Sequence, residues 1–263
     1  MINSEIRLLL ALLLLIGLGA AWYYKDVLLP PAADPVESVA PPVVEPDVDT
    51  GPRYPLPETP AESAATGRLV PLPPLDDSDA YFLIELGAAL GPAMESLLVR
   101  DAVIDRLVTT IDNLPRDKIA EKIRPVGSLE RAFVVEDADE DTPILGAANY
   151  SRYDELVAQV SNTDIETAVD IYRRFYPLFQ QSYQRLGYPD AYFNDRVVEV
   201  IDHLLGTPVP GEPVYLVRPN VLYEFADPDL EALSSGQKLL LRMGPANAST
   251  IKQALKDFRD QID

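Results

Sequence analysis

Carboxylates are the commonest chemically capable groups in this chain, and two short runs concentrate them. Asp76-Asp77-Ser78-Asp79 sets three acids beside a hydroxyl, and positions 136–141 hold five acids in six residues. Hard cations such as Mg²⁺ or Ca²⁺ need several oxygen ligands that converge. Consecutive residues at a helix start fan out around the first turn instead, where free N–H groups and the positive dipole end favour acids. The first run is therefore read as the opening of a helix, capped by Asp77 or Ser78. In the second run Asp137, Asp139 and Asp141 match the first three ligand positions of an EF-hand loop. The sixth position is Thr142 instead of glycine, and the twelfth is Ala148 instead of a bidentate glutamate. A solvated hairpin turn with weak Ca²⁺ affinity is the expectation there.

Nucleophilic and metal chemistry find little else to work with. The chain has no cysteine and one histidine, His203. This excludes disulfides, thiolate nucleophiles, Cys-ligated zinc, iron–sulfur clusters and multi-His metal sites. His203 falls inside a predicted helix beside Asp202, and sequence neighbours on a helix point to different sides. No GxSxG motif occurs. Gly236-Gln237-Lys238 lacks the rest of a phosphate loop, and 239–254 (LLLRMGPANASTIKQA) reads as a tight corner between helices with Asn247 as cap. No catalytic residue, metal or cofactor is assigned.

The remaining candidate is aromatic. Tyr172, Phe175, Tyr176, Phe179 and Tyr183 recur at helical spacing beside Arg173 and Arg174. Aromatics and arginine dominate binding energy at interfaces, so Tyr172, Arg173, Tyr176 and Tyr183 are the candidate binding residues. The competing reading makes the stripe the core face of the longest helix.

These residues need elements to hold them, and the pattern predicts mostly helices. Helices are expected over 78–90, 93–113, 116–123, 153–160, 164–186, 188–205, 227–243 and 246–262. Thr163 to Glu166 reads as a capping box, Pro177 as a kink, and Gly187 and Gly206 as stops. Asn149 or Ser151 is the expected cap of 153–160. Residues 132–135 and 143–147 read as a small β-hairpin, and 209–224 as extended or irregular. The fold class is mainly α: a multi-helix domain of about six to eight helices with one small hairpin.

Upstream of that domain the composition changes twice. Residues 8–24 (LLLALLLLIGLGAAWYY) are uncharged and end in an aromatic cluster followed by Lys25, which reads as a retained membrane anchor over 1–25. A cleaved signal peptide is the rival reading, since Gly19-Ala20-Ala21 supplies small residues near a plausible cleavage point. Residues 26–74 carry 13 of the chain's 25 prolines, and read as an acidic, extended, disordered spacer. Residues 75–263 form the domain, with 33 acids against 18 bases. That surface repels phosphate backbones, so no nucleic-acid partner is expected.

Several phrases carry a resemblance: LPPLDDSD, RLVTTIDNLPR, NYSRYDELV, IYRRFYPLFQ, YQRLGYPDAYFNDRVVEVIDHLL and VRPNVLYEFADPDLEALSSGQKLLLRMGPAN. From about Leu72 onward the chain resembles an uncharacterised family of proteobacterial membrane-anchored envelope proteins. That family joins a short membrane segment, a Pro-rich linker and a single C-terminal domain of unknown function. The resemblance implies a single-pass inner-membrane protein whose domain faces the periplasm. Together with the missing catalytic groups, it leads to the expectation of a tethered protein-interaction domain, an adaptor or scaffold with a protein partner in the envelope. The alternative is a carboxylate-based hydrolase or lyase acting on envelope polymers, which requires two acids about 5–10 Å apart in a cleft.

Overall fold

The acidic opening does more than start one helix. Leu75–Asp77 form a single 3₁₀ turn, and the Ser78 hydroxyl donates back to the Leu75 carbonyl at 2.7 Å. Helix α1 (Asp79–Leu90) follows. The Asp79 carboxylate reaches across the fold to accept from the backbone N–H groups of Ala102 (2.7 Å) and Val103 (2.9 Å). It thereby caps helix α2 (Val103–Asn113) from another element. The structure, a computed structural model, describes residues 51–56, 70–90, 98–118, 125, 133–137, 142–162, 164–219 and 222–263. The apolar run 8–24 and most of the proline-rich segment lie outside them. Among the described residues no helix is long and apolar enough to cross a membrane.

The helix expected over 93–113 is helical only from Val103: 93–97 lie outside the described residues, and 98–102 are not helical. Ala102 sits at φ 50°, in the left-handed region, which breaks the helical path before Val103. Such a conformation costs a β-carbon residue about 1–2 kcal/mol, and the two bonds from Asp79 offset it. The helix expected over 116–123 falls largely outside the described residues; 116 and 117 are bends.

The hairpin is present and belongs to something larger. β1 (Glu136–Asp137) pairs antiparallel with β2 (Pro143–Leu145), Glu136 opposite Ile144. The stretch read as irregular then supplies β3 (Val214–Val217) and β4 (Glu224–Phe225), giving the order β1-β2-β3-β4. Ile144 lies opposite Tyr215, and Leu216 opposite Phe225. Between β2 and β3 come α3 (Ala147–Tyr150), a 3₁₀ turn at Ser151–Tyr153, and α4 (Asp154–Ser161). The long α5 (Ile165–Arg185) and α6 (Phe193–Leu205) follow. After β4 the chain forms α7 (Pro228–Glu231), α8 (Ser235–Met243) and α9 (Pro245–Ile262), so the helix expected over 227–243 is two.

Several caps differ from the expected ones. Asp164 caps α5 by accepting from Thr167 N, one residue beyond Thr163, which lies outside the described residues. Asn149 is buried and donates to the Arg242 carbonyl at 3.1 Å, a bolt between α3 and α8. Asn247 likewise donates sideways, to Tyr150 O and Asp154 Oδ1. α6 starts at Phe193, five residues after Tyr188.

The main core lies where α5 packs between α1, α2, α6 and α9. Phe82 of α1 meets Phe175 edge-on at 4.8 Å, and Phe258 of α9 meets Tyr172 edge-on at 5.4 Å. A second cluster of Leu145, Val214, Leu216 and Phe225 seats the sheet on Leu241 of α8. Burying side chains of this size stabilises by roughly 1.5–3 kcal/mol each. Part of the expected spacer also docks. Arg53 N and Tyr54 N donate to the Asp195 carboxylate at 3.0 and 2.9 Å, and Asn194 Nδ2 donates to Tyr54 O at 2.8 Å. Residues 51–56 therefore lie as a strap across the start of α6.

Candidate functional site

The aromatic stripe is core. Tyr172 is 1% exposed, and its hydroxyl donates to Asn194 Oδ1 at 2.9 Å. Tyr183 stacks on Tyr188 at 4.7 Å, and burial beside Asp112 pushes its hydroxyl pKa up to about 12. Burial removes both from any open surface. Tyr176 is half-buried and donates to Gln180 Oε1 at 3.1 Å, while Arg173 donates to the Gln261 carbonyl at 2.8 Å. Five aromatics on one helix are needed because α5 has packing partners on nearly every side.

The acids do not assemble a metal site either. Asp137 is in β1, while Asp139 and Asp141 lie outside the described residues. Among the described residues no group of three or more His, Asp or Glu side chains is placed to hold a metal. Asp76 pairs with Arg185 at 2.5 Å on the surface, and Asp79 is committed to α2. The buried acids are held by arginine: Glu85 by Arg174 at 3.8 Å, and Asp112 by Arg196 at 2.9 Å and Arg116 at 3.1 Å. Each serves as an anchor between helices.

His203 Nε2 lies 2.8 Å from Ser234 Oγ, within range of a nucleophile and its base. The surroundings argue otherwise. Ser234 is buried and caps α8, accepting from Gln237 N while Gln237 Oε1 accepts from Ser234 N, both at 3.3 Å. Asp202 turns away to Arg259. Burial, with Arg196 nearby, lowers the His203 pKa and favours the neutral ring. The pair is a neutral hydrogen bond joining α6 to α8. Gly236 is equally structural, since a β-carbon there would lie 2.6 Å from Leu204 Cδ2.

What sequence patterning did not mark is a pocket of about 280 Å³ at the C-terminal end of α6. Its floor is Leu205, Val214, Leu240 and Leu241, its outer wall the 208–210 loop, and its rim on α9 carries Lys252 and Lys256. Val209 stands 75% exposed at the edge. Tyr150 closes one side: its hydroxyl donates to the Leu145 carbonyl, and its ring packs so closely on Gly244 that a β-carbon there would lie 2.5 Å away. Gly244 also holds φ at +81°, the conformation that turns α8 into α9 and shapes that wall.

The rim has unusual electrostatics for so acidic a chain. Lys252 Nζ donates to the Thr207 carbonyl and ties the loop to α9, and burial lowers its pKa. Among the described residues neither Lys252 nor Lys256 has an ion-pair partner, whereas Lys238 is paired with Glu231 at 2.5 Å. The lining contains no carboxylate; Glu212 and Glu136 act on Tyr150 from outside it. The only sequence signal for this site was the spacing of Lys252 and Lys256, one helical turn apart.

Residues 103–259, α2 to the last turns of α9, match the family described as protein of unknown function (DUF3014). The chain belongs to the DUF3014 family. The match takes in the pocket and every residue of the aromatic stripe, and it is consistent with a single C-terminal domain of unknown function. No curated protein and no solved structure matches the DUF3014 chain significantly.

Proposed function

We propose that the domain is a non-catalytic interaction module that docks a protein partner through the face carrying the pocket. The observation that carries this reading is the concave apolar site lined by two lysines and no carboxylate. Such a site binds, and among the described residues its lining lacks the paired carboxylates that glycoside-type hydrolysis needs. The wider setting is part of the proposal: a proteobacterial inner-membrane protein, single-pass through residues 8–24, with a proline-rich spacer and the domain in the periplasm. The uncharged run with its aromatic end and the long acidic spacer support it. With 13 of the chain's 25 prolines, the spacer gives the domain reach toward partners away from the bilayer.

The test places a photo-crosslinking residue at Val209 in the full chain and irradiates intact cells. One specific adduct should form, and it should vanish in Ser249→Trp, which fills the pocket mouth from an exposed position. An adduct unaffected by Ser249→Trp, or no adduct, sinks the reading.

A further inference from the structure

The protein-partner reading leaves open which chemical group enters the pocket, and the pocket's own dimensions and charges narrow it. Its volume of about 280 Å³ equals roughly nine water volumes at ~30 Å³ each. That space takes one or two aliphatic side chains, and a membrane-length acyl chain of about fourteen carbons would protrude. The floor offers only Leu205, Val214, Leu240 and Leu241, so the buried part of the ligand must be apolar.

The rim imposes the second condition. Lys252 and Lys256 lie one turn apart on α9, about 6 Å between their β-carbons. Each ammonium has three donors, and among the described residues Lys252 donates one hydrogen bond, to the Thr207 carbonyl. In a chain of net charge −20 several cations have acidic partners: Arg185 has Asp76, Arg196 has Asp112, Arg259 has Asp202. Two lysines at one apolar opening, with no acid in its lining, complement an incoming anion. The charge must also sit close to the apolar group, since the ammonium groups stand at the mouth and the leucines directly beneath.

We propose that the pocket of this binding module captures the carboxyl terminus of a partner polypeptide. An aliphatic last residue fills the apolar floor, and its α-carboxylate lies between Lys252 and Lys256. This inference rests on the protein-partner reading and specifies which part of the partner is bound. A C-terminal residue joins one carboxylate to one aliphatic side chain on a single carbon, which is the separation the site requires. The preceding residues would leave along the 208–210 loop, past Val209.

The probe is an acetylated alanine–valine–leucine tripeptide, as free acid and as C-terminal amide, titrated by calorimetry into the full chain in detergent. The free acid should bind, and the amide at least about tenfold more weakly, because charge-assisted hydrogen bonds are lost. Lys252→Met combined with Lys256→Met should remove this preference while thermal unfolding stays close to that of the parent. Lys256→Met alone, at an exposed position, gives a second measurement if the double variant unfolds. Equal binding of acid and amide overturns the proposal, as does binding of decanoate with no binding of the tripeptide. If neither tripeptide form binds while the Val209 adduct persists, the carboxyl-terminal inference fails and the protein-partner reading stands.

Discussion

His203 shows how a residue that attracts a catalytic reading becomes a structural one. Its ring accepts or donates only within a helix-capping arrangement, and its pKa is lowered by burial. The sign of the consequence follows from linkage. A base that is harder to protonate in the folded state binds fewer protons there than in the unfolded chain. The stability it contributes is present above the ordinary histidine pKa of about 6.5 and is lost as pH falls through the lowered folded-state value. Urea midpoints should therefore fall from pH 7.5 to pH 5 more steeply in the parent than in His203→Gln. Equal slopes would show that the ring does not titrate differently on folding. That histidine was visible in the sequence; its partner Ser234, 31 positions away, was not.

Helices reveal how local signals are redistributed. Periodicity located α4, α5 and α9 closely, because a 3.6-residue repeat depends only on near neighbours. Helix ends were less legible because distant groups supply them. Asp79 was read with the acids that open its own helix, yet its carboxylate caps α2, whose start it moves to Val103. Asp79→Ala leaves two backbone donors without their acceptor and should cost about 1–2 kcal/mol, measured as a lower urea midpoint. Asp77→Ala, two residues earlier in the same acidic run and exposed, is the control and should leave the midpoint nearly unchanged. Equal effects of the two would count against Asp79 as the cross-fold cap. The aromatic stripe followed the same logic: spacing identified one face of α5, and the helices packed around it determined that this face is core.

The strap at 51–56 is held by three residues of α6, with Glu199 pairing to the Arg53 guanidinium. Asp195 accepts both strap N–H groups, and Asn194 joins Tyr54 O to the Tyr172 hydroxyl and to the Ile262 carbonyl near the C-terminus. Asp195→Ala should release the strap and expose the Arg53–Tyr54 bond. Trypsin should cut there several-fold faster, since local opening becomes easier by about 1–3 kcal/mol, and mass spectrometry of early fragments reads it directly. An unchanged rate would mean that the strap is held elsewhere. The amino-acid sequence was sufficient for the helical class, the acidic composition and the absence of thiol chemistry, because composition and short-range periodicity act within about one turn of chain. The hairpin's first strand, read at 132–135, lies at Glu136–Asp137. The pocket needed the folded chain. Its floor and rim come from α6, β3, α8, α9 and a loop, and Leu205 and Lys256 meet only because α6 and α9 pack side by side. Two lysines on a helix are ordinary until packing sets them over an apolar cavity that contains no acid.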